Sequence, residues 1–337
     1  MRKAAAILVV VIGAVALALF LKGNSRTTTP PPAAIENRIP KLKQRLTERE
    51  KEIEQTVASY APKSNGQIDD LNAPADEILR GLPGVVQVEF LVKVNKPTRR
   101  AIHLRDWHYV AKDLYAIDMK QVHGREMTEQ EIDQLHQELL LEVELVQLEQ
   151  LAILRCLIKH HGLKRVHSEG FSPNELEAYR DKIDVLRAME RQQIPQIRKQ
   201  LDEIRNLIET MTGKGKEKAQ GIERKLIVLL DGHRERLLEV GAAGRLLISG
   251  ELEEVLPLEE DGAMEHANPI TPNGTVRHEE SKLEARHDAQ LRVLAKESPV
   301  VVIVLGGAHD LTGSVRRAGN GWECLRVTTQ RFNETGE

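Results

Sequence analysis

Three features of the sequence predict an α/β protein with a mostly parallel central sheet flanked by long helices. The first is a run of branched apolar residues, Val300-Val301-Val302-Ile303-Val304-Leu305, that ends on Gly306-Gly307-Ala308-His309-Asp310. A run with no alternation reads as a strand buried on both faces, as in a parallel sheet covered by helices. The second is order: short apolar runs alternate with long stretches of helical periodicity, the pattern of strand–helix–strand units. The third is composition. Only 3% of the 337 residues are aromatic, so the core must be aliphatic, and the length suffices for one large domain or two small ones.

In chain order, Met1-Arg2-Lys3 precedes Ala4 to Leu21, eighteen residues without a charge. That is near the minimum that spans a bilayer. Residues 1–23 are therefore expected to be an N-terminal transmembrane anchor. A cleavable signal segment with Ala16-Leu17-Ala18 as its small-residue site is the rival, and Leu19-Phe20-Leu21 continuing past that site favours the anchor. The flanking charges bias the N-terminus only mildly toward the cytoplasm, which makes the body exported and the protein single-pass. Residues 24–34, with three threonines and three prolines in a row, read as a stiff linker. Residues 35–74 read as a stalk or docking helix up to Tyr60, followed by a polar loop.

The folded body is expected over 75–332. Val85 to Val94 is a strand with partial alternation. Asn95-Lys96-Pro97-Thr98 is turn chemistry, so a hairpin with Arg100 to Leu104 is the expected pairing. Thr128 with Glu131 three residues on is a capping-box signature opening a helix to Lys159, which Gly162 stops. Long helical segments continue from there to Val240, making 128–240 a helical insert. Leu163 to Gly170 forms a short strand within it, Pro195 is expected to kink a helix, and Gly213 to Lys216 is expected to form a loop. Glu254 to Leu258 is a strand, Ala267 to Val276 a loop, Glu279 to Lys296 a helix, and Trp322 to Thr329 the last strand.

Net charge is −3 with mixed signs along the chain. No basic stripe or aromatic platform is present, which argues against nucleic acid as a partner. Cys156 and Cys324 match no zinc or redox spacing and are expected to be buried free thiols.

Four polar clusters follow expected strands: Asp106 with His108, Glu169, Glu259 to Asp261, and His309 with Asp310. Parallel strands align their carboxyl ends on one edge, where open α/β sheets bind ligands. Two histidines and one or two carboxylates suit a divalent metal with open positions. The same set would serve metal-free hydrolysis, with a histidine as base and a carboxylate orienting it. Taken singly, each cluster also has an ordinary structural reading. His108 could be a core histidine beside Trp107, Glu169 a carboxylate favouring the next helix dipole, Glu259 to Asp261 a solvated acidic turn, and Asp310 a helix cap. His103 could belong to the site or to the packing.

The turn Gly306-Gly307-Ala308-His309 and the strand closing on Arg105-Asp106-Trp107-His108 resemble the two Gly-x-x-His turns of the TraB/Tiki, ChaN and erythromycin-esterase-like superfamily. The resemblance aligns His108 and His309 with the two histidines, Glu169 with the intervening glutamate, and Arg286 with an arginine on the helix before the second turn. Arg105 and Asp106 depart from the Gly-Glu of the first turn. The resemblance implies a hydrolase that cleaves peptides or esters, with His108, Glu169 and His309 holding a zinc, manganese or cobalt ion or acting without one. Asp106 would assist, and Arg286 would stabilise charge in the transition state. Haem-binding members of the group imply an alternative, a non-catalytic metal- or haem-binding module tethered to the membrane. A third expectation is a structural protein whose long helices make the partner contacts.

Overall fold

The computed structural model describes residues 38–268, 277, 279–319 and 321–335. The expected anchor and linker, and residues 269–276 of the expected loop, lie outside these. Among the described residues no helix is long and apolar enough to cross a membrane.

Six strands form one sheet: β1 (Val85–Val92), β2 (Arg99–Asp106), β3 (Arg165–Ser168), β4 (Glu254–Pro257), β5 (Val300–Gly306) and β6 (Trp322–Thr329). Their order is β1-β6-β2-β5-β3-β4. All neighbours are parallel except β1, which runs antiparallel to β6 at the edge. The α/β class and mostly parallel sheet are as the sequence predicts.

The expected β1–β2 hairpin does not form. β6 lies between the two strands, pairing Val88 with Val327 on one side and Ile102 with Leu325 on the other. Turn chemistry at Asn95 to Thr98 permits a reversal but does not choose the neighbour. β2, buried along most of its length, gains two parallel partners by pairing with β5 and β6.

Every residue of β5 is buried. Val300, Val302 and Val304 enter the larger core with Ile102, Leu104, Leu325 and Val327. Val301, Ile303 and Leu305 enter a second core on the other face with Leu291, Leu294 and Val315. Period-2 geometry thus sends one unbroken apolar run into two layers.

The helices are α1 (Arg38–Ser59), α2 (Ala75–Arg80), α3 (Lys112–His123), α4 (Glu129–His161), α5 (Leu176–Ala188), α6 (Ile194–Thr210), α7 (Gly213–Ser249), α8 (Ala263–His266), α9 (Glu280–Leu294), α10 (Thr312–Arg317) and α11 (Gln330–Thr335). The capping box opens α4 as expected. The Glu131 amide donates to Thr128 Oγ1 at 3.2 Å, and the Thr128 amide donates to Glu131 Oε2 at 2.8 Å. Gly162 closes α4 in the left-handed conformation.

Several expectations need correction. α1 is not a free stalk: its stripe of Leu42, Leu46 and Ile53 is buried in the main core, so the body begins before residue 75. The range 128–240 is not one insert, because β3 lies inside it and joins the sheet. Gly213 to Lys216 are the first turn of α7 rather than a loop. The expected break at Pro195 is instead a π-helical turn at Met189–Gln193 just before it, through which the backbone stays right-handed helical and runs on from α5 into α6. Both cysteines are buried and unpaired.

Candidate active site

The register puts the four strand-end clusters on one edge. Asp106 pairs with Gly306 across β2 and β5, Ser168 pairs with Val304 across β3 and β5, and Ser168 with Pro257 across β3 and β4. The residue after each strand therefore emerges at the same rim. Asp106 closes β2, and two residues later His108 turns back over the edge. Its Nδ1 lies 2.8 Å from Asp106 Oδ2 and its Nε2 2.6 Å from Glu169 Oε2. Gln150 of α4 donates to Asp106 Oδ1 at 2.8 Å and fixes that carboxylate.

Glu169 is the hub. Its Oε2 also accepts the Gly306 amide at 2.9 Å, and its Oε1 accepts Arg286 Nη2 at 2.6 Å. His309 Nε2 lies 3.2 Å from Oε1 but off the line of a hydrogen bond, which leaves this buried nitrogen without a hydrogen-bond partner. Both rings flank the end of β5 and lie against Glu169: a Cβ on Gly306 would fall 2.9 Å from His108 Nε2 and 3.0 Å from His309 Cδ2. Only a residue with no side chain lets the strand end pass between them.

Behind Glu169, Arg286 of α9 lies between two carboxylates. It donates to Glu259 through Nη2 at 2.6 Å and Nε at 3.1 Å, and Gln290 Nε2 donates to the same Glu259 at 2.9 Å. The Glu169 and Glu259 side chains are wholly buried. Glu259 is thus no solvated turn residue, and it balances a charge that burial would otherwise make costly. His287, the next residue on α9, lies 2.8 Å through Nε2 from His309 Nδ1, with the rings edge-on at 76°.

Burial disfavours a charge on His108, but the Glu169 and Asp106 carboxylates outweigh it and push its pKa up to about 10. Burial would raise Glu169, yet His108, His309 and Arg286 together hold it well below the usual carboxylate range. Burial, helped by His309 and Arg286, pushes His287 down to about 3. The resting site is therefore an imidazolium held between two carboxylates, backed by a neutral His287.

His108 is the only one of the two aligned histidines that reaches open space. Asp106, His108 and Glu169 line a cavity of about 280 Å³ whose far wall carries Phe171, Tyr179, Leu238 and Val240. The Phe171 and Tyr179 rings stack at 4.1 Å. His309 and Arg286 are sealed behind Glu169 and line no part of this cavity. Arg286 therefore does not reach a reacting group, contrary to the role the resemblance implied, because both sides of its guanidinium already face carboxylates.

Other candidates separate from the site. His103 is fully buried, its Nε2 donating to the Leu305 carbonyl at 3.0 Å, and burial pushes its pKa down to about 3. Asp310 accepts the Thr312 amide at 2.9 Å in an Asx turn that leads into α10, whose N-cap is Leu311 without a side-chain cap bond. Sequence reasoning missed His287, Gln150 and the buried role of Glu259. His287 carried a usable signal, since it directly follows Arg286 on α9.

The His108–Glu169 pair fits a shared proton better than a metal ion, whereas His309 Nε2 lies 3.2 Å from Glu169 Oε1. Two ligand atoms on a tetrahedral ion with bonds near 2.0–2.1 Å lie about 3.3 Å apart. The 2.6 Å between His108 Nε2 and Glu169 Oε2 is instead the span of a single hydrogen bond. Among the described residues no group of three or more His, Cys, Asp or Glu side chains is arranged to hold a metal. Haem fares no better, because both nitrogens of His108 are taken and His309 lines no part of the cavity. No family model matches the chain, and neither curated proteins nor solved structures give a significant match.

Proposed function

We propose that the protein is a metal-independent hydrolase of an ester or amide bond, with His108 as its acid–base group. The observation that carries this reading is an imidazole clamped between Asp106 and Glu169 on the wall of a half-apolar cavity, at the carboxyl edge of a parallel sheet. Asp106, steadied by Gln150, orients the ring through Nδ1 and leaves the Nε2 proton toward Glu169 and the cavity.

Hydrolysis needs one proton removed from water and one delivered to the leaving atom. His108 Nε2 first passes its proton across the 2.6 Å bond to Glu169 Oε2, then takes the proton of the attacking water as the carbonyl carbon gains its new oxygen. His108 Nε2 donates its proton to the departing oxygen or nitrogen as that bond breaks. The proton on Glu169 then crosses the 2.6 Å bond to His108 and restores the resting pair. Once His108 is neutral, the charge that most depresses Glu169 is gone, so the two groups exchange one proton readily. Arg286 and Glu259 act as positioning residues that hold Glu169 in place.

The spaced turns resembling those of the TraB/Tiki, ChaN and erythromycin-esterase-like superfamily support the same reading. Tethering by residues 1–23, with the body on the exported side, belongs to the proposal and is checked by alkaline extraction of membranes and protease accessibility.

The test is turnover of nitrophenyl esters and peptide nitroanilides by the native chain and by His108→Gln, alongside circular dichroism. We expect the variant to stay folded and to lose about 10²- to 10⁴-fold in rate, the usual contribution of a positioned acid–base group. Added chelator should leave the native rate unchanged. Full activity in His108→Gln, or loss of activity on chelation, overturns the proposal.

A further inference from the structure

The cavity wall opposite His108 has a feature that the acid–base pair leaves unexplained. Every residue from Leu238 to Ala243 lines it. A regular helix completes a turn in 3.6 residues, so six consecutive positions cannot all face one side. The reason is Gly241, at φ 67° and ψ −176°, which breaks α7 at the cavity. Such angles are open to glycine alone. The chain resumes as a helix from Ala242 to Ser249, and a restarted helix opens with N–H groups that no carbonyl of its own serves. Ala242 and Ala243 line the cavity with only a methyl each and are 0% and 1% exposed, so those groups are shielded from water.

Two buried side-chain atoms face the same corner without partners. Gln147 of α4 is 1% exposed and lines the cavity. Its Nε2 donates to the Leu238 carbonyl at 3.0 Å, which orients the amide and leaves Oε1 with no hydrogen bond. The Tyr179 hydroxyl is likewise buried and unpaired, 2.9 Å from where a Cβ on Gly244 would lie. Buried polar atoms are nearly always satisfied, so unpaired ones on a cavity wall point to a ligand.

We infer that the break at Gly241 and Gln147 together form a subsite for a secondary amide group. The opening N–H groups of the restarted helix donate to its carbonyl oxygen, and Gln147 Oε1 accepts its N–H. Both partners are present in an amide and only one in an ester, which would set an oxygen lone pair against Gln147 Oε1. The apolar wall of Phe171, Leu238 and Val240 takes the hydrocarbon part, so the class is an N-acylated amine. This rests on the hydrolase reading and narrows its two bond types to one.

The experiment is calorimetric titration of the full chain with N-phenylhexanamide and with phenyl hexanoate, the fate of each followed by chromatography. The native chain should bind the amide at least tenfold more tightly than the ester. Gln147→Met should weaken the amide by about tenfold or more and leave the ester unchanged. Gly241→Ala, whose Cβ would meet nothing nearer than Gln147 Nε2 at 4.0 Å, acts through the backbone and should also weaken the amide. Equal affinity of the native chain for both probes, or parallel loss of both in Gln147→Met, overturns the subsite. Selective amide binding without cleavage of either probe keeps the subsite and sinks the hydrolase. Cleavage of both probes at equal affinity does the reverse.

Discussion

Neutralising His108 should remove a pH-dependent part of the protein's stability. The imidazole has an ordinary value of 6.5 and is raised to about 10 in the fold, against its burial, by Glu169 and Asp106. A folded value above the unfolded one means that the stabilisation is complete below about pH 6.5 and fades as pH rises through about 10. Between those limits unfolding releases a proton, so stability falls by about 1.4 kcal/mol per pH unit. From 6.5 to about 10 this amounts to about 5 kcal/mol, a large part of the 5–15 kcal/mol typical of a domain. The measurement is urea unfolding followed by circular dichroism at half-unit steps from pH 6 to 10, on the native chain and on His108→Gln. The native stability should drop along this slope relative to the variant. Parallel curves between pH 7 and 9.5 would show that His108 does not carry its charge into the fold, and the acid–base assignment would fall with it.

Arg286→Leu strands Glu169 and Glu259 as buried charges, and urea unfolding at pH 7 should show a loss of about 3–5 kcal/mol. That loss should shrink as pH falls and Glu169, no longer held down by the guanidinium, becomes free to protonate. Gly306→Ala forces a methyl against both histidine rings and should cost about 1–3 kcal/mol, with His108 losing its contact to Glu169 and titrating lower by NMR. Gly162→Ala places a side chain at φ 69°, where left-handed backbone costs about 1–2 kcal/mol, and into the space of Gln67 Oε1, which must move aside; stability should fall by at least the backbone cost without a change in turnover. On the proposed mechanism, turnover by the native chain should hold across neutral pH and decline as pH rises through about 10, where His108 loses its proton.

Much of the site was legible in the residues alone. The apolar run into Gly306 reads as a strand buried on both faces, which puts His309 just past its carboxyl end. Asp106, His108 and Glu169 each come after a short apolar run, and parallel strands leave such residues on one rim. The capping box at Thr128 and the stop at Gly162 bounded α4 because both act through neighbours three or four residues away. What escaped were relations between distant parts. Alternation in Val85 to Val92 says which residues face inward but not that the partner strand begins at Trp322. Gly241 looked like one small residue among several, although its dihedral angles open the cavity wall.

The sequence by itself therefore determined the features set by local pattern: the α/β class, the central strand, the helix ends and the set of ionisable residues at strand termini. Those depend on periodicity, capping and turn chemistry within a few residues. Tertiary structure alone decided which of these residues reach open space and which are sealed away. Glu259 is a buried counterion rather than a wet acidic turn because Arg286 comes down on it from α9, and His309 is hidden while His108 faces the cavity. The physical reason is that burial and charge pairing are properties of the groups packed around a side chain, and every neighbour that matters here arrives from a distant stretch of chain.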